Sequence, residues 1–290
     1  MTRYRAISLV LTGGVLMGMV GLILRLMESA DGFQILVYRS FALSAMVMLV
    51  ACLRRKVGAL KFLKSFDKWD VIVGLLLGLA FSFYVYALLN TNIASALFVL
   101  SSAPIFAAIL AWVFIGEKPS KITYVALFLA VIGVGLMVKD GLDTGGILGN
   151  IYALISALCF AAMLVIIRYT GKEDALGGTF LGGVFACGLN AIVAIGIGSG
   201  LAISGWDLGL SLIMGACTIG LGIALVTWAA SYLPASEVSI LALIESVTGP
   251  IWVWLFLGEG TTISTLIGGA IVLSAVVLQT LGGQSEEINA

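Results

Sequence analysis

Glu245 stands about ten residues from either end of the apolar run 236–257, and Arg39 lies inside a second run, 33–53. A charge at the centre of a membrane helix costs at least about 2.5–3.5 kcal/mol, so such residues are read first as functional. A carboxylate there can bind a solute ammonium or carry a coupling proton. The structural alternative is a buried ion pair with Arg39. Uncharged candidates lie in the run 70–89 and just beyond it: Ser82, Phe83, Tyr86 and Asn90 share a helix face at i, i+1, i+4 and i+8. Lipid gives hydroxyls and amides no partner, so this stripe faces protein or water. Its chemistry is either solute binding, by ring stacking and hydrogen bonding, or helix–helix bonding. Ser95, Phe98, Ser101 and Ser102 form a comparable stripe in the next run, and Trp228 stands beside Thr227 and Ser231 in a later one. Serines are also common packing residues between membrane helices, and a Trp near a helix end also serves in an interfacial belt.

Catalytic machinery has little to draw on. The chain has no histidine, hence no histidine triad or histidine metal site, and no G-x-x-x-x-G-K-[ST] phosphate loop. Cys52, Cys159, Cys187 and Cys217 sit in apolar runs without metal-ligand spacing. The reading is a protein that is not an enzyme, with no cofactor and no metal.

The positioning elements are membrane helices. Hydrophobic residues make up 61% of the 290 and charged ones 10%, against about 25% charged in soluble domains. About 20 apolar residues span the hydrocarbon core. Ten such runs are predicted, at 6–26, 33–53, 70–89, 93–115, 120–138, 147–169, 177–200, 207–230, 236–257 and 261–281, within a single membrane domain, 1–290. Little chain is left for a soluble domain, and the zero net charge gives no sign of a nucleic-acid partner. The longest connection, 54–69, carries Lys61, Lys64 and Lys68 beside Leu60, Phe62, Leu63 and Phe66, an amphipathic pattern suited to an anionic leaflet.

The runs fall into two halves. Trp112-Val113-Phe114-Ile115-Gly116-Glu117 returns 142 residues later as Trp254-Leu255-Phe256-Leu257-Gly258-Glu259, and Arg25 returns as Arg168. An internal duplication explains both, with repeats over about 1–140 and 141–290. With the N-terminus cytoplasmic, twelve basic residues fall on the inside and three (Arg25, Arg39 and Lys139) on the outside, as the positive-inside bias requires. Five runs per half is an odd number, so the second half is inverted relative to the first, an arrangement used by alternating-access transporters. Pro104 and Pro250 predict kinks. The pairs Gly14/Gly18, Gly74/Gly78, Gly178/Gly182 and Gly196/Gly200 predict close helix packing. A carboxylate opposes the dipole at a helix C-terminus, so Glu117 and Glu259 are assigned to capping the helices that begin near Ser120 and Thr261, with substrate contact as the alternative.

On the paired Gly-Glu motifs, the prolines within the same helices and the arginines after the first and sixth, the chain resembles the drug/metabolite transporter superfamily, specifically its EamA type. One detail departs from the pattern: Pro250 lies nine residues before Glu259, whereas Pro104 lies thirteen before Glu117. The resemblance implies an all-α polytopic fold of ten transmembrane helices in two inverted five-helix repeats around a central cavity. That cavity is lined by helices 1, 3, 4, 6, 8 and 9. It further implies a secondary transporter exporting amino acids or related small metabolites; a monomer in the cytoplasmic membrane is expected. A multidrug or nucleotide-sugar transporter is the nearer alternative, and a membrane enzyme or subunit the more distant one. Solute and membrane lipid are then the partners.

The topology is directly testable. Single cysteines replacing Asp67 and Asp143 in a cysteine-free chain should react with an impermeant thiol reagent from opposite membrane faces; reaction from the same face contradicts the inverted second half.

Overall fold

The computed structural model describes residues 1–91, 93–138, 146–172, 174–198, 200–258 and 262–287. Asp143 and Glu259 lie outside the described residues, as does the side chain of Ser95. Ten helices follow in order: α1 Arg3–Arg25, α2 Gly32–Arg55, α3 Lys68–Asn90, α4 in two pieces (Ile93–Leu100 and Ala103–Ile115), α5 Lys121–Val138, α6 Ile147–Thr170, α7 Leu176–Gly196, α8 Gly205–Ala230, α9 in two pieces (Ala235–Ala242 and Ile244–Leu257) and α10 Ile263–Glu287. Among the described residues nine of these are long and apolar enough to cross a bilayer, and α5 adds a shorter apolar stretch, Lys121–Met137. The protein is an all-α polytopic membrane protein. A five-residue helix, Ala59–Leu63, lies in the connection after α2, with Phe62 buried and Leu60 exposed.

Helix ends follow from local chemistry. Asp31 caps α2 by accepting the Phe33 and Gln34 N–H groups, and Gln34 returns the bond to the Asp31 N–H. Asp67 caps α3 in the same way, and Lys172 donates to it at 2.7 Å. Burial pushes the Asp67 carboxyl up, but the bonds from Lys172 and from the Asp70 N–H outweigh it and hold the group at about 2. Gly116 takes φ +72° and Gly258 φ +69°, the left-handed turn that ends a helix at no cost to glycine. After Gly116, the Glu117 N–H reaches back to the Ala111 carbonyl. The shared Gly-Glu sequence is thus a helix stop.

Glu117 does not cap α5. Ser120 does so itself by accepting the Thr123 N–H, while Glu117 takes a 2.7 Å bond from Arg168. A carboxylate pointing away from a helix dipole that opposes it gains more from a neighbouring guanidinium.

Glycines set the spacing. A Cβ on Gly74 would lie 2.5 Å from Leu181 Cβ, and one on Gly178 would lie 2.4 Å from Val73, so α3 and α7 touch nearly backbone to backbone. Gly14 and Gly18 admit α9 equally closely at Ile244 and Thr248, while Gly13 admits α8 at Gly222. The fourth expected pair differs: Gly196 and Gly200 face open space. Gly198 and Gly200 take positive φ, and the Gly200 N–H closes the helix on the Ala194 carbonyl. These glycines therefore end α7 at Gly196, short of the expected residue 200.

Four helices are irregular. α1 breaks at Met19, α4 at Ser101–Ser102, α9 at Leu243, and α8 widens into a π-helical stretch over Met214–Gly220. The α4 break immediately precedes Pro104, whose ring excludes the carbonyl of residue 100. In α9 the break lies seven residues before Pro250, which stays inside a continuous helix. The backbone break in α9 falls at Leu243, where Gly14 lets α1 press on the Ala242 carbonyl and the Glu245 N–H.

The two ends of the bundle are tied differently. At one, Arg3 pairs with Glu237, Arg168 with Glu117, Lys172 with Asp67 and Asp70, and Arg54 and Arg55 with Asp174. At the other, the fully buried Asp207 accepts the N–H groups of Glu28, Ser29 and Ala30, each at 3.0 Å, and the Ser29 hydroxyl at 2.8 Å. These are called the Arg3 end and the Asp207 end. Gln279 of α10 shares a cavity with Arg3, so α1 begins where α10 finishes, and Arg168 closes α6 at the same end.

The packing predicts a contrast between glycines. A Cβ on Gly215 would lie 2.0 Å from the Arg39 carbonyl oxygen, whereas Gly188 has open space. Gly215→Ala should lower the melting temperature of the purified protein, by about 1–3 kcal/mol of overpacking. Gly188→Ala should leave it unchanged or raise it. Equal behaviour of the two would contradict the close α2–α8 approach.

Candidate functional site

A cavity of about 190 Å³ opens between α1, α2, α3, α4, α6, α8 and α9. α5 and α10 stay outside it, packed together where Gly133 meets Gly268. The walls are mainly apolar: Met17 and Val20 from α1, Phe81 and Tyr84 from α3, Phe160 from α6, and Ile219, Ile223 and Val226 from α8. Ser101, Ser156, Ser239 and Ser246 add hydroxyls. Two opposite charges face this space, Arg39 and Glu245.

Each charge is placed by a backbone irregularity. The Leu243 break makes Glu245 a first-turn residue of the second α9 piece, where the positive end of the helix dipole favours a carboxylate. The π-helical stretch of α8 brings Gly215 against the Arg39 carbonyl, seating α2 at that turn. Arg39 is only 5% exposed, and its guanidinium lies over the Phe81 ring, 5.6 Å from the centroid. No hydrogen bond or ion pair within 4.0 Å joins Arg39 to Glu245 among the described residues. They share the cavity without closing on each other, so each keeps bonding capacity for a third group.

Two of the cavity hydroxyls serve the backbone. The Ser156 hydroxyl donates to the Ala80 carbonyl at 2.7 Å, and the Ser101 hydroxyl to the Phe98 carbonyl at 2.6 Å. Together the groups can hold a small molecule with one anionic end, one cationic end and an apolar body.

Of the nine residues expected from sequence, Glu245 lines this cavity. Ser82 is fully buried between α3 and α7, donating to the Gly78 carbonyl and accepting from Asn190. Phe83 and Tyr86 form an aromatic cluster with Tyr152, extended at Tyr86 by Phe33. The Asn90 amide donates to the Tyr86 carbonyl. Phe98 packs with Val134, Val247 and Val272 among α5, α9 and α10. The Ser102 hydroxyl bonds the Val99 carbonyl at the α4 break. Trp228 lies under the Arg54 guanidinium, 4.1 Å from its ring centroid, toward the Arg3 end.

The cavity face of α3 is instead Ala80, Phe81 and Tyr84. A signal for this was present: Gly74, Gly78 and Ser82 recur every four residues, a stripe of small residues that marks a helix contact. Read that way, Ser82 belongs to the α7 interface. Nothing in the sequence singles out Phe81, Tyr84 or Ser156.

Comparison with known proteins bears on the whole chain. The pattern of the EamA-like transporter family matches twice, over residues 4–139 and 147–281. An uncharacterized transporter of Archaeoglobus fulgidus is 31% identical over 213 residues, 70% of this chain and 75% of that protein. The pseudopaline exporter CntI of Pseudomonas aeruginosa is 26% identical over 67% of this chain and 68% of its own. A solved crystal structure with 17% sequence identity matches in fold, with a TM-score of 0.79 over 97% of this chain and 98% of that one. With both matches together reaching from residue 4 to residue 281, the chain belongs to the EamA-like transporter family.

Proposed function

We infer that the protein is a secondary transporter that exports small zwitterionic metabolites across the cytoplasmic membrane, neutral amino acids with apolar or aromatic side chains foremost. The observation that carries this reading is the pair Arg39 and Glu245, opposite charges facing one apolar cavity with no bond between them. A free amino acid supplies the missing partners: its carboxylate goes to Arg39 and its ammonium to Glu245, while its side chain lies against Phe81, Tyr84 and Phe160.

Cavity size and charge favour this class over its rivals. About 190 Å³ is below the roughly 300–1,000 Å³ of pockets that take drug-sized ligands. A nucleotide sugar carries a diphosphate, and among the described residues Arg39 is the one cation lining the cavity. The outward direction is in line with the relative named as a pseudopaline exporter.

The architecture fits alternating access. The family pattern occurs twice, and α1 and α6 run in opposite directions, which supports inverted repeats over about 1–140 and 141–290. The Arg3 end, rich in arginine and lysine, is assigned to the cytoplasm with both termini. The reading is of a transporter working as a monomer and carrying out no covalent chemistry.

Counterflow of each radiolabelled L-amino acid into proteoliposomes tests the reading. At least one neutral amino acid should exchange, and Glu245→Gln and Arg39→Gln should each reduce its flux tenfold or more. Des-amino and des-carboxy analogues should separate the roles: the acid should compete through Arg39 and the amine through Glu245. Undiminished flux in both variants would contradict the assignment.

A further inference from the structure

A second cavity, about 370 Å³, lies at the Arg3 end. Its charged lining is Arg3, Glu117, Lys118, Arg168 and Glu237, with Gln279 beside them. Two ion pairs cross it. Arg3 grips Glu237 through two bonds of 2.6 and 3.2 Å, tying α1 to α9. Arg168 donates to Glu117 at 2.7 Å and to the Ser231 carbonyl at 3.1 Å, tying α6 to the ends of α4 and α8.

These pairs leave bonding capacity unused. Arg3 Nε, Glu117 Oε2 and Gln279 Oε1 are buried without a partner, and Gln279 is only 3% exposed. Buried polar atoms without partners are costly and uncommon in native structures. The three residues that carry them line this polar space, and one donor with two acceptors matches the carboxylate and the ammonium of a zwitterion.

The two cavities lie along the same helices. On α4, Pro104 lines the central cavity and Glu117 follows at the outer one; on α6 the corresponding residues are Phe160 and Arg168. Between them in the chain stand Ala107 and Leu164, both fully buried in one apolar cluster. Val238, also fully buried there, separates Glu237 from Ser239 on α9. A buried apolar layer therefore divides the central cavity from the polar outer one, and the ion pairs join the helices that would have to part for solute to cross it.

We propose that this outer cavity is a second binding site for the same zwitterionic class, an antechamber in which Glu117 and Gln279 take the ammonium and Arg3 the carboxylate. It rests on the reading of the central cavity as a zwitterion site. A solute held there supplies new partners to Arg3 and Glu117, so the ion pairs can separate without leaving bare charges.

Binding stoichiometry tests the site. The intact protein in detergent is dialysed to equilibrium against each 14C-labelled L-amino acid. For an amino acid that binds, the site predicts two molecules per chain at saturation. The count should fall to one in Glu245→Gln and to one in the double variant Glu117→Gln/Gln279→Leu. One molecule per chain in the native protein, lost in Glu245→Gln, overturns the antechamber and leaves the central site standing. No binding of any amino acid overturns both. Two molecules per chain unchanged in the double variant also overturns the antechamber. If the double variant does not fold, the native and Glu245→Gln counts still decide.

Discussion

Hydrocarbon offers no partner to a backbone N–H or carbonyl, so a spanning helix that breaks inside the bilayer must break where protein or water can replace the lost bonds. Four of these helices break or widen, and residues at or beside each irregularity line one cavity: Met17 and Val20 near the α1 break, Ser101 at the α4 break, Ile219 in the α8 π-stretch and Leu243 at the α9 break. The hydroxyls at the α4 break bond to carbonyls three residues back. The cavity is thus the place where irregular backbone is tolerated. Without it, neither the break that sets Glu245 at a helix start nor the wide turn against Arg39 would survive in a membrane.

Close helix approach supplies the second half of the arrangement. Helices in lipid gain nothing from hiding apolar surface from one another, so contact depends on small residues and dispersion. Glycines let α1 reach both α8 and α9, and let α3 reach α7. Those approaches fix which faces remain for the cavity. On α3 the Gly74–Gly78–Ser82 stripe is committed to α7, which turns Phe81 and Tyr84 inward.

Much of this was legible in the sequence, and the failures are informative. Hydropathy located the ten helices because bilayer thickness imposes their length. The Gly-Glu stops were visible because glycine at a left-handed position is a local requirement. Glu245 was found because an uncompensated charge in an apolar run is rare. Polarity on α3 reads as a sign of water, whereas Ser82 accepts a bond from Asn190 between helices, and Phe81 and Tyr84 are the α3 side chains that line the cavity. Proline draws attention to Pro250 as the usual cause of a kink, while the break that the sequence does not signal falls at Leu243, where α1 presses on its neighbours. Phe81 and Tyr84 carried no signal: an aromatic residue in a membrane helix looks the same whether it faces lipid, protein or solute.

The ion pairs at the Arg3 end and the Asp207 cluster at the other end tie the helices together on either side of the interrupted middle. If the Arg39–Glu245 cavity is a solute site exposed in turn to both sides of the membrane, a position inside it must be reachable from each. The most direct test is Ser246→Cys, a cavity-lining position next to Glu245, in a chain lacking its four native cysteines. Reaction with an impermeant maleimide is followed in right-side-out and inverted vesicles. Alternating exposure predicts reaction from both faces, slowed by a transported amino acid. Reaction from one face alone, or none from either, would contradict it.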